Sequence, residues 1–83
     1  MDINRLFELS TLEREEYYKS HTRGQVIKAW NEYDNIYSFE TGDDKDIFLL
    51  KHEGKNYELI FSYDEKANVT ELLIRDEAGK VIE

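Results

Sequence analysis

A chain of 83 residues and 9.9 kDa has room for one domain, spanning residues 1–83, and its 19 acidic against 11 basic residues give a net charge of −8. That balance argues against wrapping a nucleic-acid backbone, which needs clustered Lys and Arg, and no run approaches the ~20 apolar residues of a membrane span. The absence of cysteine excludes disulfides, thiolate zinc sites and a cysteine nucleophile, and the start Met1-Asp2-Ile3-Asn4-Arg5 lacks a basic segment followed by an apolar one, so the expected compartment is the cytoplasm.

The apolar residues have helical spacing up to Asp34 and come in short β-rich runs after it. The helical part thus covers residues 1–34 and the sheet part residues 36–83. In residues 2–20, Asp2 can cap a first turn, and Ile3, Leu6, Phe7, Tyr17 and Tyr18 share one helical face, from which Leu9 and Leu12 fall off. Ser10-Thr11-Leu12-Glu13 reads as a capping box, so the segment either breaks near Ser10 or bends. Thr22-Arg23-Gly24-Gln25 repeats that pattern ahead of Val26, Ile27, Trp30 and Tyr33, which predicts a second helix ending at Asp34-Asn35.

Four strands follow, at residues 36–40, 47–53, 56–63 and 69–76. A polar turn from Thr41 to Asp46 joins the first two, Glu53-Gly54 makes a tight hairpin, and residues 64–68 form a loop. The run Ile47-Phe48-Leu49-Leu50 suggests burial on both faces or at a partner surface. Tyr57, Leu59, Phe61 and Tyr63 alternate onto one face. In the last strand Leu72 and Ile74 lie on one side, with Val69 and Leu73 on the other. Residues 80–82 offer a short fifth edge strand. The order α-α-β-β-β-β predicts an α+β fold, two N-terminal helices on a four-stranded antiparallel sheet. Eleven aromatics, each able to bury about 150–250 Å², supply the core of a chain without disulfides.

Two pieces of this order, Thr22-Arg23-Gly24-Gln25-Val26 at a helix start and the strand-turn-strand from Phe61 through Asp64 and Asn68 to Val69, resemble the BamE (SmpA/OmlA) and β-lactamase-inhibitor-protein type of domain. The resemblance covers about residues 22–82 and implies two helices followed by a curved antiparallel sheet. Lys28-Ala29-Trp30-Asn31 departs from the Leu-Gly with a following Pro usual in that family, and the secretion signal and lipid-anchor cysteine are missing. The resemblance therefore implies a fold and no function.

His21 and His52 are the two candidate bases or metal ligands, against which stands the reading that both are exposed residues beside a helix start and a hairpin. Residues 34–46 hold five acids, Asp34, Glu40, Asp43, Asp44 and Asp46, against Lys45, which concentrates half of the net charge there. These acids are either a phosphate-like binding surface, a cation site or a solvated hairpin tip. A calcium loop fails from Asp44 or Asp64, because the sixth residues are Leu49 and Val69 and the twelfth are Lys55 and Arg75. Glu13, Glu15 and Glu16, with Arg14 and Lys19 beside them, read as a charge-balanced helix face. Trp30 and Phe61 belong in the core, while Tyr37, Phe39 and Tyr63 are candidates for an exposed sheet face. Asn68-Val69-Thr70 matches a glycosylation sequon, read as accidental without a secretion signal. No phosphate-binding loop, dinucleotide fingerprint or nucleophile elbow occurs, so no enzyme activity, cofactor or metal is expected.

The leading expectation is an acidic protein-binding module, an inhibitor or decoy on the basic surface of a nucleic-acid-handling protein, of the phage anti-restriction or anti-CRISPR type, or an immunity protein. Asp34, Glu40, Asp43, Asp44 and Asp46 would imitate phosphates and Tyr37, Phe39 and Tyr63 would anchor, with no direct contact to nucleic acid or membrane. The alternative is a non-catalytic assembly module, a homodimer through the open sheet face or the Val81-Ile82 edge; a residual enzyme or metal-binding reading comes third.

Overall fold

The computed structural model describes residues 2–83; Met1 lies outside the described residues. The Asp2 carboxylate accepts the Arg5 amide at 2.8 Å and opens helix α1 (Ile3–Glu8). The segment then breaks rather than bends. Leu9 and Ser10 adopt extended backbone, and Ser10 caps α2 (Thr11–Tyr18) through the reciprocal bonds that its spacing from Glu13 predicts, 3.2 Å from the Glu13 amide and 3.0 Å back to its carboxylate. The break lets each short helix aim its own residues inward: Ile3 and Leu6 from α1, Arg14 and Tyr18 from α2, with Leu12 left in solvent.

Thr22 and Gln25 cap α3 (Arg23–Asn31) in the same way. This helix buries Val26 and Trp30 and stops three residues short of Asp34, where the Tyr33 amide bonds the Trp30 carbonyl at 3.1 Å. Three helices thus stand where the apolar spacing predicts two.

The sheet is an antiparallel meander of β1 (Ile36–Thr41), β2 (Lys45–His52), β3 (Lys55–Tyr63) and β4 (Val69–Arg75), in spatial order β1-β2-β3-β4. Glu53 (φ 51°) and Gly54 (φ 78°) both take the left-handed conformation that a two-residue hairpin requires. Phe48, Leu50, Leu59, Phe61, Tyr63, Leu72 and Ile74 face the helices and join Leu6, Tyr18, Val26 and Trp30 in the core. Val69 joins them, contrary to plain alternation. The register slips between Ser62 and Tyr63, so Ser62 pairs with Glu71 but Tyr63 with Val69, and the extra residue Thr70 returns Val69 to the core side. Trp30 Nε1 donates to the Tyr18 hydroxyl at 3.1 Å, which satisfies both polar tips inside the core.

Residues 80–82 form no fifth strand. A single bridge joins Val81 to Arg75, and the Ile82 amide donates to the Ile74 carbonyl at 2.8 Å, so the tail lies along the outer edge of β4 without extending the sheet. No helix among the described residues is long and apolar enough to cross a membrane.

Arg14 does not balance the glutamates around it. It is fully buried, where its Nε donates to the Leu6 carbonyl at 2.8 Å and Nη1 to the Ile82 carbonyl at 3.0 Å. Burial pulls its pKa below the ordinary arginine value. The buried guanidinium ties the last turn of α1 and the C-terminal tail to α2, satisfying carbonyls that neither segment could satisfy itself. Arg14→Ala should lower the unfolding free energy by about 2–4 kcal/mol in urea titration and strip hydrogen-exchange protection from the tail. Lys19→Ala, which removes only an exposed pair with Glu16, should leave the urea midpoint unchanged.

Candidate functional site

The first hairpin is organised around one arginine. Asp46 lies on the helix side of β2, fully buried, and Arg23 reaches it from the first position of α3 with Nε to Oδ2 at 3.1 Å and Nη2 to Oδ1 at 2.7 Å. The Thr41 hydroxyl donates to Oδ1 at 2.7 Å. The same guanidinium bonds the Asp43 carbonyl at 2.9 Å and the Gly42 carbonyl at 2.6 Å, and sits 5.0 Å from the centre of the Tyr63 ring. Burial alone would raise the Asp46 pKa, but the hydrogen bonds from Arg23 and Thr41 outweigh it and hold the carboxyl below its ordinary value. Burial first, and the neighbouring Asp46 carboxylate second, push the Tyr63 phenol far up.

This geometry removes two residues from the expected binding surface. Asp46 and Tyr63 are buried, because the face that Tyr57, Leu59, Phe61 and Tyr63 share is the one the helices cover. Asp46 cannot stand in for a phosphate while its oxygens are held by Arg23, and Tyr63 cannot reach a partner.

The remaining six candidates are exposed and follow strand β1 from end to end. Asp34 and Tyr37 line a shallow groove at its start, together with Asn35, Lys51, Glu53 and Asn56. Reciprocal bonds between Asn35 and Lys51, 3.0 Å each, hold that groove in place. Tyr37 is 56% exposed because it is the extra residue of a bulge: Ile36 pairs with Leu50 and Ser38 with Leu49, leaving Tyr37 unpaired. Phe39 stacks on Phe48 at 4.9 Å on the helix side, with part of its ring outside. Glu40, next to the last residue of β1, lies opposite Ile47 on the other side of the sheet, and Asp43 and Asp44 occupy the hairpin loop.

The two edges of the sheet differ. The outer side of β4 is met by the His21 carbonyl, which accepts the Val69 amide at 3.1 Å, by the Thr22–Asn68 bridge, and by the tail at Ile74 and Arg75. Among the described residues no backbone segment lies along the outer side of β1.

Neither histidine is the exposed residue expected. His21 is half-buried with its ring 5.1 Å from Tyr17, and His52 stacks on Phe7 at 4.3 Å with 12% of its side chain exposed. Each is used as an aromatic wall. Asp64 holds its own loop, accepting the Lys66 and Asn68 amides at 2.9 Å each, and the Asn68 bond leads in lowering its pKa. Among the described residues no three His, Asp or Glu side chains come together as a metal site. Comparison of the chain with protein families, with curated proteins and with solved structures found no match.

Two outcomes follow from the Arg23–Asp46 pair. Arg23→Ala leaves a buried carboxylate unpaired and should cost about 2–3 kcal/mol in urea unfolding. Because the folded-state pKa of Asp46 is lowered, its contribution is complete above the ordinary carboxylate range and is lost as pH falls through the folded value. Asp46→Asn should therefore be less stable than the parent at pH 7 and lose less stability between pH 5 and pH 2; equal acid slopes would contradict this.

Proposed function

We propose that this chain is a protein-binding module that acts by occupancy, and that the β1 side of the sheet is its contact surface. One observation carries the reading: Asp34, Glu40, Asp43 and Asp44, with Tyr37 and Phe39 among them, follow the β1 edge of the sheet, along which no further strand is paired among the described residues. Six residues of strand span about 20 Å. Four carboxylates, one on the strand and three at its two ends, favour a basic partner, whose approach they accelerate and orient. Tyr37 and Phe39 supply apolar area that charge alone does not.

The bulge at Tyr37 and the shortness of β1 discourage another strand from adding to this edge. Recognition therefore runs through side chains rather than through strand pairing. The most concrete form is an inhibitor or decoy that takes the place of nucleic acid on a nucleic-acid-handling protein, of the anti-restriction, anti-CRISPR or immunity type. Basic proteins that hold phosphates with Lys and Arg are the class such a surface competes for.

Affinity capture of basic proteins from a host lysate on the immobilised chain tests this. The expected result is retention of nucleic-acid-binding proteins that release with 0.5 M salt and with added duplex DNA. The Glu40→Lys, Asp43→Lys, Asp44→Lys triple variant should retain at least tenfold less. Retention that survives DNA competition, or that the triple variant matches, would overturn the reading.

A further inference from the structure

We infer that the face of the sheet turned away from the helices is a self-association surface, and that its occupant is a second copy of this chain. Ile47, Ile60 and Leu73 stand directly opposite one another on β2, β3 and β4 and form an apolar row across the sheet, with Leu49 beside it. All four have the strand parity opposite to the core residues Phe48, Leu59, Phe61 and Leu72. Ile60 is only 7% exposed yet stands apart from the core cluster, walled in by its cross-strand neighbours. Ile47, Leu49 and Leu73 are partly buried, each keeping some area at the surface. Apolar rows of this kind on an unlayered sheet face are what sheet-on-sheet packing buries.

Charge chooses the occupant. The ionic residues on this face are Glu40, Glu58 and Glu71 against Lys45, Lys51 and Arg75, so the face is neutral and the rest of the molecule carries the whole net charge of −8. Two copies approaching by the β1 side bring excess acid against excess acid. Face to face they bring an apolar row together within a mixed rim, where Glu58 and Arg75 already lie 3.7 Å apart. A basic partner gains nothing at a neutral face and is drawn to the β1 acids instead. The interface is isologous, the same residues on both copies.

This goes beyond the occupancy reading and rests on a different set of residues, the apolar row, with Glu40 and Lys51 bordering both surfaces. It also makes the two compatible, because Phe39 and the Asp43-Asp44 loop lie away from the apolar row. A face-to-face pair then carries two acidic edges and binds a repeated basic target with the gain of bivalency.

Sedimentation equilibrium of the full chain from 5 to 500 µM should show a concentration-dependent mass reaching twice 9.9 kDa. Association should strengthen from 0.05 to 0.5 M salt, since salt screens the repulsion between two acidic chains; capture of a basic partner weakens over the same range, so the two readings fail separately. Leu73→Lys and Leu49→Glu should each reduce association at least tenfold with unchanged circular dichroism, while Leu12→Ser, which removes an exposed leucine elsewhere, should not. The chain has no cysteine, so a spin label at Ser62→Cys is unique. It should broaden the Ile47 and Leu49 amides of an unlabelled copy, a readout that needs no destabilising variant. A monomer at 500 µM, face variants that associate like the parent, or no intermolecular broadening would overturn the inference.

Discussion

A carboxylate buried on the inner side of a strand has to be met by a cation, and the meeting of Asp46 with Arg23 sets much of the rest of this molecule. Arg23 is the first residue of α3, a position where the helix dipole disfavours a positive charge. Asp46 offsets that cost by presenting both oxygens to the guanidinium. In return the arginine fixes the start of α3 against β2, collects the carbonyls of Gly42 and Asp43, and lies over Tyr63 of β3. A hairpin that composition alone would make a repulsive cluster of acids becomes a folded loop with a positive centre. What is left negative at the surface is the strand leading to the hairpin and its two loop aspartates.

That residue distribution separates two surfaces. The β1 side is acidic, partly aromatic and uncovered; the open sheet face is neutral and apolar. In the proposals above, the first is the contact surface for a basic partner and the second that for a copy of the same chain. Strand parity and register place the two mostly on different residues, with Glu40 and Lys51 at their common boundary.

Much of the architecture was legible. The α+β class, both capping boxes, the Glu53-Gly54 hairpin and the four-strand meander all follow from local chemistry, because a cap or a two-residue turn is decided by residues three or four apart. Leu9 and Leu12, misplaced on a continuous helix, pointed to a break or a bend near Ser10, and the extended backbone of Leu9 and Ser10 makes it a break. What could not be read depended on contacts far apart in the chain. Nothing beside Arg14 marks it as buried, because its partners are the carbonyls of Leu6 and Ile82. Asp46 looks like its neighbours Asp43 and Asp44 until Arg23, twenty-three residues earlier, is placed beside it. The slip at Thr70 is a register choice that alternation does not encode. One signal was available for Asp46: it alternates in phase with Phe48 and Leu50, so a strand begun at Lys45 would have turned it inward.

The hairpin and the start of α3 are held by the state of a single carboxyl group, and carbon-13 NMR titration of the aspartate side chains reads it directly. The Asp46 carboxyl should titrate below the ordinary aspartate value of about 3.9, and Arg23→Gln should move that midpoint upward. A midpoint at or above 3.9, or one indifferent to Arg23, would contradict the buried pair and return Asp46 to the exposed acidic surface.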